Sequence, residues 1–92
     1  MADSAFKALA DPTRREILRL LAQHDELSAG ALGDAFDISQ PAVSRHLAVL
    51  RAAGLVSTRR DGQNVMYALD TTVVQDVMRV LLDLGAKKGA RK

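Results

Sequence analysis

Between Ser39 and Gly54 the chain spaces hydrogen-bonding side chains in a way that suits a flat or grooved polyanion: Gln40, Ser44, Arg45 and Arg51, interleaved with the small residues Pro41 and Ala48. At about 100° per residue the stretch divides into two halves. Ala42, Val43, His46, Leu47, Val49, Leu50 and Ala53 fall on an inward half; Gln40, Pro41, Ser44, Arg45, Ala48 and Arg51 fall on the other. Side chains near a helix N-terminus are placed to read base edges, and the unpaired N–H groups there favour phosphate. Arg45 has the fork for guanine O6 and N7, Gln40 has the amide for adenine N6 and N7, and Pro41, Ala42 and Ala48 are small enough to touch thymine methyls. Ser39 is foremost a cap, with phosphate donation as a second use. His46, on the inward half, is expected to pack against the preceding helix, its alternative being a phosphate contact. For Arg45 and Arg51 the alternative is an ordinary solvated face.

A second cationic cluster surrounds Asp61-Gly62 and comprises Arg59, Arg60, Gln63 and Asn64. Arg59 and Arg60 are neighbours in a β-prone run, so they point to opposite faces. At least one is expected to reach a polyanion, while the other pairs with Asp61 or another acid. Gln63 and Asn64 are adaptable donors. Nothing comparable supports catalysis: there is no Gly-rich phosphate loop, no nucleophile beside a base, and the only histidines, His24 and His46, belong to different elements. Cysteine is absent, which excludes disulfides, thiolate metal sites and iron–sulfur clusters. No cofactor or metal is expected.

The elements that must position these residues follow from periodicity and capping. A short helix is expected from about Asp3 to Ala10, with Ala5, Phe6 and Leu9 on one side. Asp11-Pro12 then starts a second helix, reaching about Gln23 on an Ile17, Leu20, Leu21 stripe. Ser28 caps a third through about Ala35, Asp37-Ile38-Ser39 is a tight turn, and Ser39 and Gly54 bracket the fourth. Two β-prone runs around Asp61-Gly62 predict a type I′ hairpin with Val65, Tyr67 and Leu69 toward the core. The last helix is expected from Thr71 or Thr72 to about Leu84, with residues 85–92 as a flexible basic tail beyond a domain of residues 1–84. Its apolar residues Val73, Val74, Val77, Met78, Val80, Leu81, Leu82 and Leu84 cover an arc of about 200°. One small core cannot use so wide a face, and exposed apolar patches of this kind mark interfaces.

Ninety-two residues make one domain whose core is marginal for a monomer, so a partner subunit is the expected stabiliser. The net charge of +2 hides a division along the chain. Residues 1–38 are net acidic, 39–64 carry Arg45, Arg51, Arg59 and Arg60 against Asp61 alone, 65–84 are acidic again, and the end is basic. A basic middle between acidic flanks suits a polyanionic partner. No run approaches a membrane span and no signal peptide is visible, so the expected location is the cytoplasm, with the nucleoid.

The wording of three segments goes further. Phe6-Lys7-Ala8-Leu9-Ala10-Asp11-Pro12-Thr13-Arg14-Arg15-Glu16-Ile17-Leu18, then Ile38-Ser39-Gln40-Pro41-Ala42-Val43-Ser44-Arg45-His46-Leu47, then Leu50-Arg51-Ala52-Ala53-Gly54-Leu55-Val56, resemble the bacterial ArsR-type repressors, in particular their SdpR-like autorepressor branch. The resemblance spans about residues 5–82 and implies a mainly α fold with a small β-hairpin, a winged helix-turn-helix of order α-α-α-α-β-β-α. It also implies a homodimeric repressor with double-stranded DNA as partner: helix 40–53 in the major groove of a pseudo-palindromic operator, the 59–64 wing on the backbone or minor groove. The implied dimer interface is built from the first and last helices, through Ala5, Phe6, Leu9, Val74, Val77, Met78, Leu81 and Leu82. Metal sensors of this family carry a cysteine pair in the helix matching Ser28–Ala35, or carboxylate and histidine ligands on the last helix. Here Ala29–Gly33 has no thiol, and the last helix offers Asp76 and Asp83 without histidine. A metal-responsive repressor with a non-cysteine site involving His24, and a winged helix used for protein contacts, are the alternatives. The effector is not legible.

Overall fold

A computed structural model describes residues 2–89, and the side chains of 3–85. Five helices and a small sheet follow in the order α1 (Ala2–Leu9), α2 (Pro12–Ala22), β1 (Leu27–Ser28), α3 (Ala29–Phe36), α4 (Gln40–Ala52), β2 (Val56–Asp61), β3 (Asn64–Leu69) and α5 (Thr71–Gly89). Four helices start on side-chain caps, α5 among them, where Asp70 accepts the Thr72 N–H at 3.0 Å. Asp11 accepts the Arg14 N–H at 3.0 Å, Ser28 that of Ala31 at 3.1 Å and Ser39 that of Ala42 at 3.3 Å. Each cap satisfies a backbone donor that the first helical turn leaves unpaired. Asp37 closes α3 in the left-handed region, φ 53°, so that α4 turns sharply across α3. Gly54 ends α4 at φ 77°, the conformation that a residue without Cβ adopts most cheaply.

The core is a single cluster. Ile17 and Leu21 from α2, Leu32 from α3, Val43, Leu47 and Leu50 from α4, and Leu55 after it are its large, fully buried side chains. Ala5 and Ala8 bring α1 against them. Val43, Leu47 and Leu50 are spaced i, i+4, i+7, the stripe a helix needs to bury one face. Val49, expected inward, lies off that stripe and is exposed, lining a shallow groove with Lys7 and Ala52.

Three expectations are corrected. The wing is not a lone hairpin: the sheet order is β1-β3-β2, with Leu27 and Ser28 paired antiparallel to Tyr67 and Met66. A two-residue strand has no periodicity to read, and its pairing is supplied by the second edge of β3. The hairpin turn is also displaced by one residue. Asp61 pairs with Asn64, leaving Gly62 and Gln63 as the central residues, and only Gly62 has positive φ, 63°. Positive φ at the first central residue alone is the pattern of a type II′ turn, not I′. Finally, α5 passes Leu84 and runs to Gly89. Ala86, Lys87 and Lys88 are strong helix formers, and one preceding glycine does not outweigh them. Of the expected tail, residues 90–92 lie outside the described residues.

Candidate nucleic-acid interface

The α3–turn–α4 unit fixes the polar face of α4. Gln40, Pro41, Ser44, Arg45, Ala48 and Arg51 are exposed on it, Ser39 caps it, and Ala42 and His46 sit half-buried at its edge. Gly33 sits where the two helices cross: a Cβ there would run into the Gln40 amide nitrogen, at the movable end of that side chain, and come within 3.4 Å of Val43 Cγ2. The Gln40 side chain therefore lies across α3 at Gly33. Arg45 makes no ion pair among the described residues.

His46 reaches the start of α2. Its Nδ1 lies 3.5 Å from Arg14 Nη1 and 3.9 Å from Asp11 Oδ2, at the N-terminus of α2. Arg14 is the hub of this corner: its Nε donates to the Ala8 carbonyl at 2.7 Å and its Nη2 to that of Lys7 at 3.3 Å. The backbone N–H of Arg14 holds the Asp11 carboxyl below its ordinary range, partly opposed by desolvation and aided electrostatically by the neighbouring His46 and Arg14. His46 thus belongs to the joint between α1, α2 and α4.

Strand register separates the two wing arginines. Arg59 stands opposite Met66, and Arg60 opposite Val65. Side chains alternate, so Arg60 shares a face with Thr58, Val65 and Tyr67, whereas Arg59 projects from the reverse face. There Arg59 meets Glu26, Nε to Oε2 at 2.8 Å and Nη2 to Oε1 at 2.6 Å. This two-point bond lowers the Glu26 carboxyl and raises the Arg59 guanidinium. Arg60 has no acidic partner among the described residues, and Gln63 and Asn64 are exposed at the tip. The acid expected to absorb one arginine exists, but it is Glu26, 33 residues upstream, rather than Asp61.

Between α4 and the sheet runs a groove of about 480 Å³ lined by Ser44, Leu47, Ala48, Arg51, Ala52 and Tyr67. Tyr67 was legible only as a core residue. The signal that would have found it is parity: it shares a strand face with Arg60, and that face turns toward α4.

On the far side, α5 packs on α1 through its N-terminal turns. Of the residues expected at an interface, Ala5 (0% exposed) and Val77 (5%) are consumed by the protomer's own core and have almost no surface left, a correction imposed by the tight α1–α5 contact. Leu9 and Val74 are half-buried, and Phe6 is exposed. Met78, Leu81 and Leu82 are 53, 55 and 68% exposed, joined by Leu84 at 59%. Among the described residues no three His, Asp or Glu side chains gather where a metal ion would sit, and no helix is long and apolar enough to cross a membrane.

A helix-turn-helix whose second helix shows a polar, partly cationic face, flanked by a hairpin with a basic tip, defines a winged helix-turn-helix DNA-binding protein. A family model described as a helix-turn-helix domain matches residues 9–59. The chain is 44% identical over 81 residues to the transcriptional repressor SdpR of Bacillus subtilis, covering 88% of this chain and 89% of that one. It is 47% identical over 76 residues to the arsenic resistance transcriptional regulator ArsR1 of Pseudomonas putida, covering 83% of this chain but 59% of that longer one. Among solved structures, an ArsR-like transcriptional regulator from Rhodococcus superposes with a TM-score of 0.84 at 33% identity, covering 98% of this chain and 84% of that one. The chain belongs to the ArsR-type winged helix-turn-helix family of transcriptional regulators and is not an enzyme.

Proposed function

We propose that the protein is a homodimeric, sequence-specific repressor that inserts α4 into the major groove of a pseudo-palindromic operator and lays its wing along the backbone or minor groove. The observation that carries this reading is the division of labour among the arginines. Arg59 is bound to Glu26, while Arg45 and Arg60, on α4 and on the wing face turned toward α4, have no acidic partner among the described residues. Arg45, with Ser44 and Gln40, reads base edges near the helix N-terminus; Ser39 offers its hydroxyl to phosphate; Arg60, Gln63 and Asn64 hold the flanking backbone. His46 contributes by fixing α4 against α2. The second copy docks on Phe6, Met78, Leu81 and Leu82, with Leu9 and Val74 at the seam, because these side chains leave an apolar stripe that one protomer does not cover. Repression is the activity named for SdpR, whose length this chain nearly matches.

The test is binding to operator fragments selected from genomic DNA, compared with random duplex, by fluorescence anisotropy. Arg45→Ala should cost about 1–3 kcal/mol on the operator and relax preference at one base pair per half-site, while Arg60→Ala should weaken operator and random duplex alike. Equal losses on both duplexes for Arg45→Ala would overturn the base-reading role.

A further inference from the structure

We propose that the groove between α4 and β3 is a seat for one backbone phosphate of the bound duplex, with the Arg51 guanidinium and the Tyr67 hydroxyl as donors and Ser44 at its mouth. This rests on the reading of α4 as the major-groove helix and adds a contact and a residue to it.

The groove has the charge and shape for that occupant. Its lining holds one cation, Arg51, two hydroxyls, Ser44 and Tyr67, and no carboxylate. Ala48 and Ala52 lie between them, so nothing bulky holds a sugar–phosphate chain away from the helix. Tyr67 is held in place from three sides. It is on the central strand, paired with Thr58 on one edge and Leu27 on the other, and its ring packs against the core. No side-chain oxygen or nitrogen is buried without a partner among the described residues, and none of their hydrogen bonds engages the Tyr67 hydroxyl, so that hydroxyl is open to solvent on a residue that lines the groove.

Position along α4 selects phosphate over base. Arg51 lies seven residues past Ser44, about 10 Å farther along the helix axis at 1.5 Å per residue, beyond the turns that meet base edges. The wing wall opposite carries Arg60 on the same strand face as Tyr67. A backbone that leaves the major groove between helix and wing passes between these cations. Phosphate contacts of this kind fix register and carry no sequence information.

Tyr67→Phe removes the hydroxyl and keeps the ring, and Arg51→Gln removes the charge from an exposed position, so both variants retain the core. Binding is measured on a selected operator and on random duplex across a salt series. The operator is also scanned with single neutral methylphosphonate linkages. Arg51→Gln should reduce the magnitude of the log–log salt slope by about one and weaken both duplexes by a similar factor. Tyr67→Phe should weaken both by roughly two- to tenfold, the span expected for one hydrogen bond. One methylphosphonate position per half-site should weaken the wild type severalfold and leave Arg51→Gln unaffected. Wild-type affinity and salt slope in both variants, or a methylphosphonate penalty that persists in Arg51→Gln, would overturn the seat even where Arg45→Ala still loses operator preference. If Arg45→Ala also leaves operator preference intact, the underlying placement of α4 fails as well.

Discussion

The Arg59 guanidinium grips the Glu26 carboxylate through two hydrogen bonds of 2.8 and 2.6 Å, tying the outer face of the wing to the segment that leads into β1. An arginine held this way is a strut, whereas Arg60 on the other face of the wing has no acidic partner among the described residues.

That strut has a pH signature. Arg59 holds the Glu26 carboxyl below its ordinary range, so the pair's contribution to stability is present above the unfolded carboxylate range and is lost as pH falls through the lowered folded value. Glu26→Gln should therefore lower Tm at neutral pH, and its gap to wild type should close as the solution is acidified below about pH 4. Thermal denaturation of both proteins from pH 7 to pH 3 checks this; a gap that does not change with pH contradicts it.

Gly33→Ala separates stability from readout. The new methyl meets the far end of the flexible Gln40 side chain, and alanine favours the helix by roughly 0.5–1 kcal/mol. Stability should change by less than about 1 kcal/mol, whereas the Gln40 amide must move, so base preference next to the N-terminus of α4 should change. Chemical denaturation together with selection from a randomised operator measures both.

Two α5 substitutions should fail in different ways. Leu81→Glu puts a charge on an exposed stripe and should give a folded monomer in sedimentation with unchanged circular dichroism per residue. Val77→Glu buries a charge inside the protomer and should unfold it. A folded Val77→Glu monomer would show that Val77 faces the partner instead.

Ser39→Ala should cost about 1 kcal/mol, because the hydroxyl satisfies the Ala42 N–H at the start of α4. Loss of operator affinity well beyond this, at temperatures where the variant remains folded, would assign the hydroxyl a phosphate contact in addition to the cap.

Local rules carried much of the fold. Asp11-Pro12, Ser28 and Ser39 announce helix starts because each cap is a contact within three residues, and spacing places Val43, Leu47 and Leu50 of α4 inward but misplaces Val49, which is exposed. What escaped was non-local. Leu27 and Ser28 become a strand only when β3 offers its edge, and Glu26 finds Arg59 only once that sheet has formed. His46 has the same history, since an inward position on the wheel says nothing about whether α2 or α3 receives it. Val77 shows the limit of reading an apolar arc: it belongs to the arc of α5, but which part of that arc the protomer keeps for itself is decided by where α1 lies.

Footprinting the protein on its selected operator with a major-groove probe tests the central claim most directly. Two protected tracts should appear, related by a twofold axis and centred about 10–10.5 base pairs apart or a multiple of that, and Arg45→Ala should lose discrimination at symmetry-related bases. A single tract without a mirror image, or protection that ignores sequence, would contradict it.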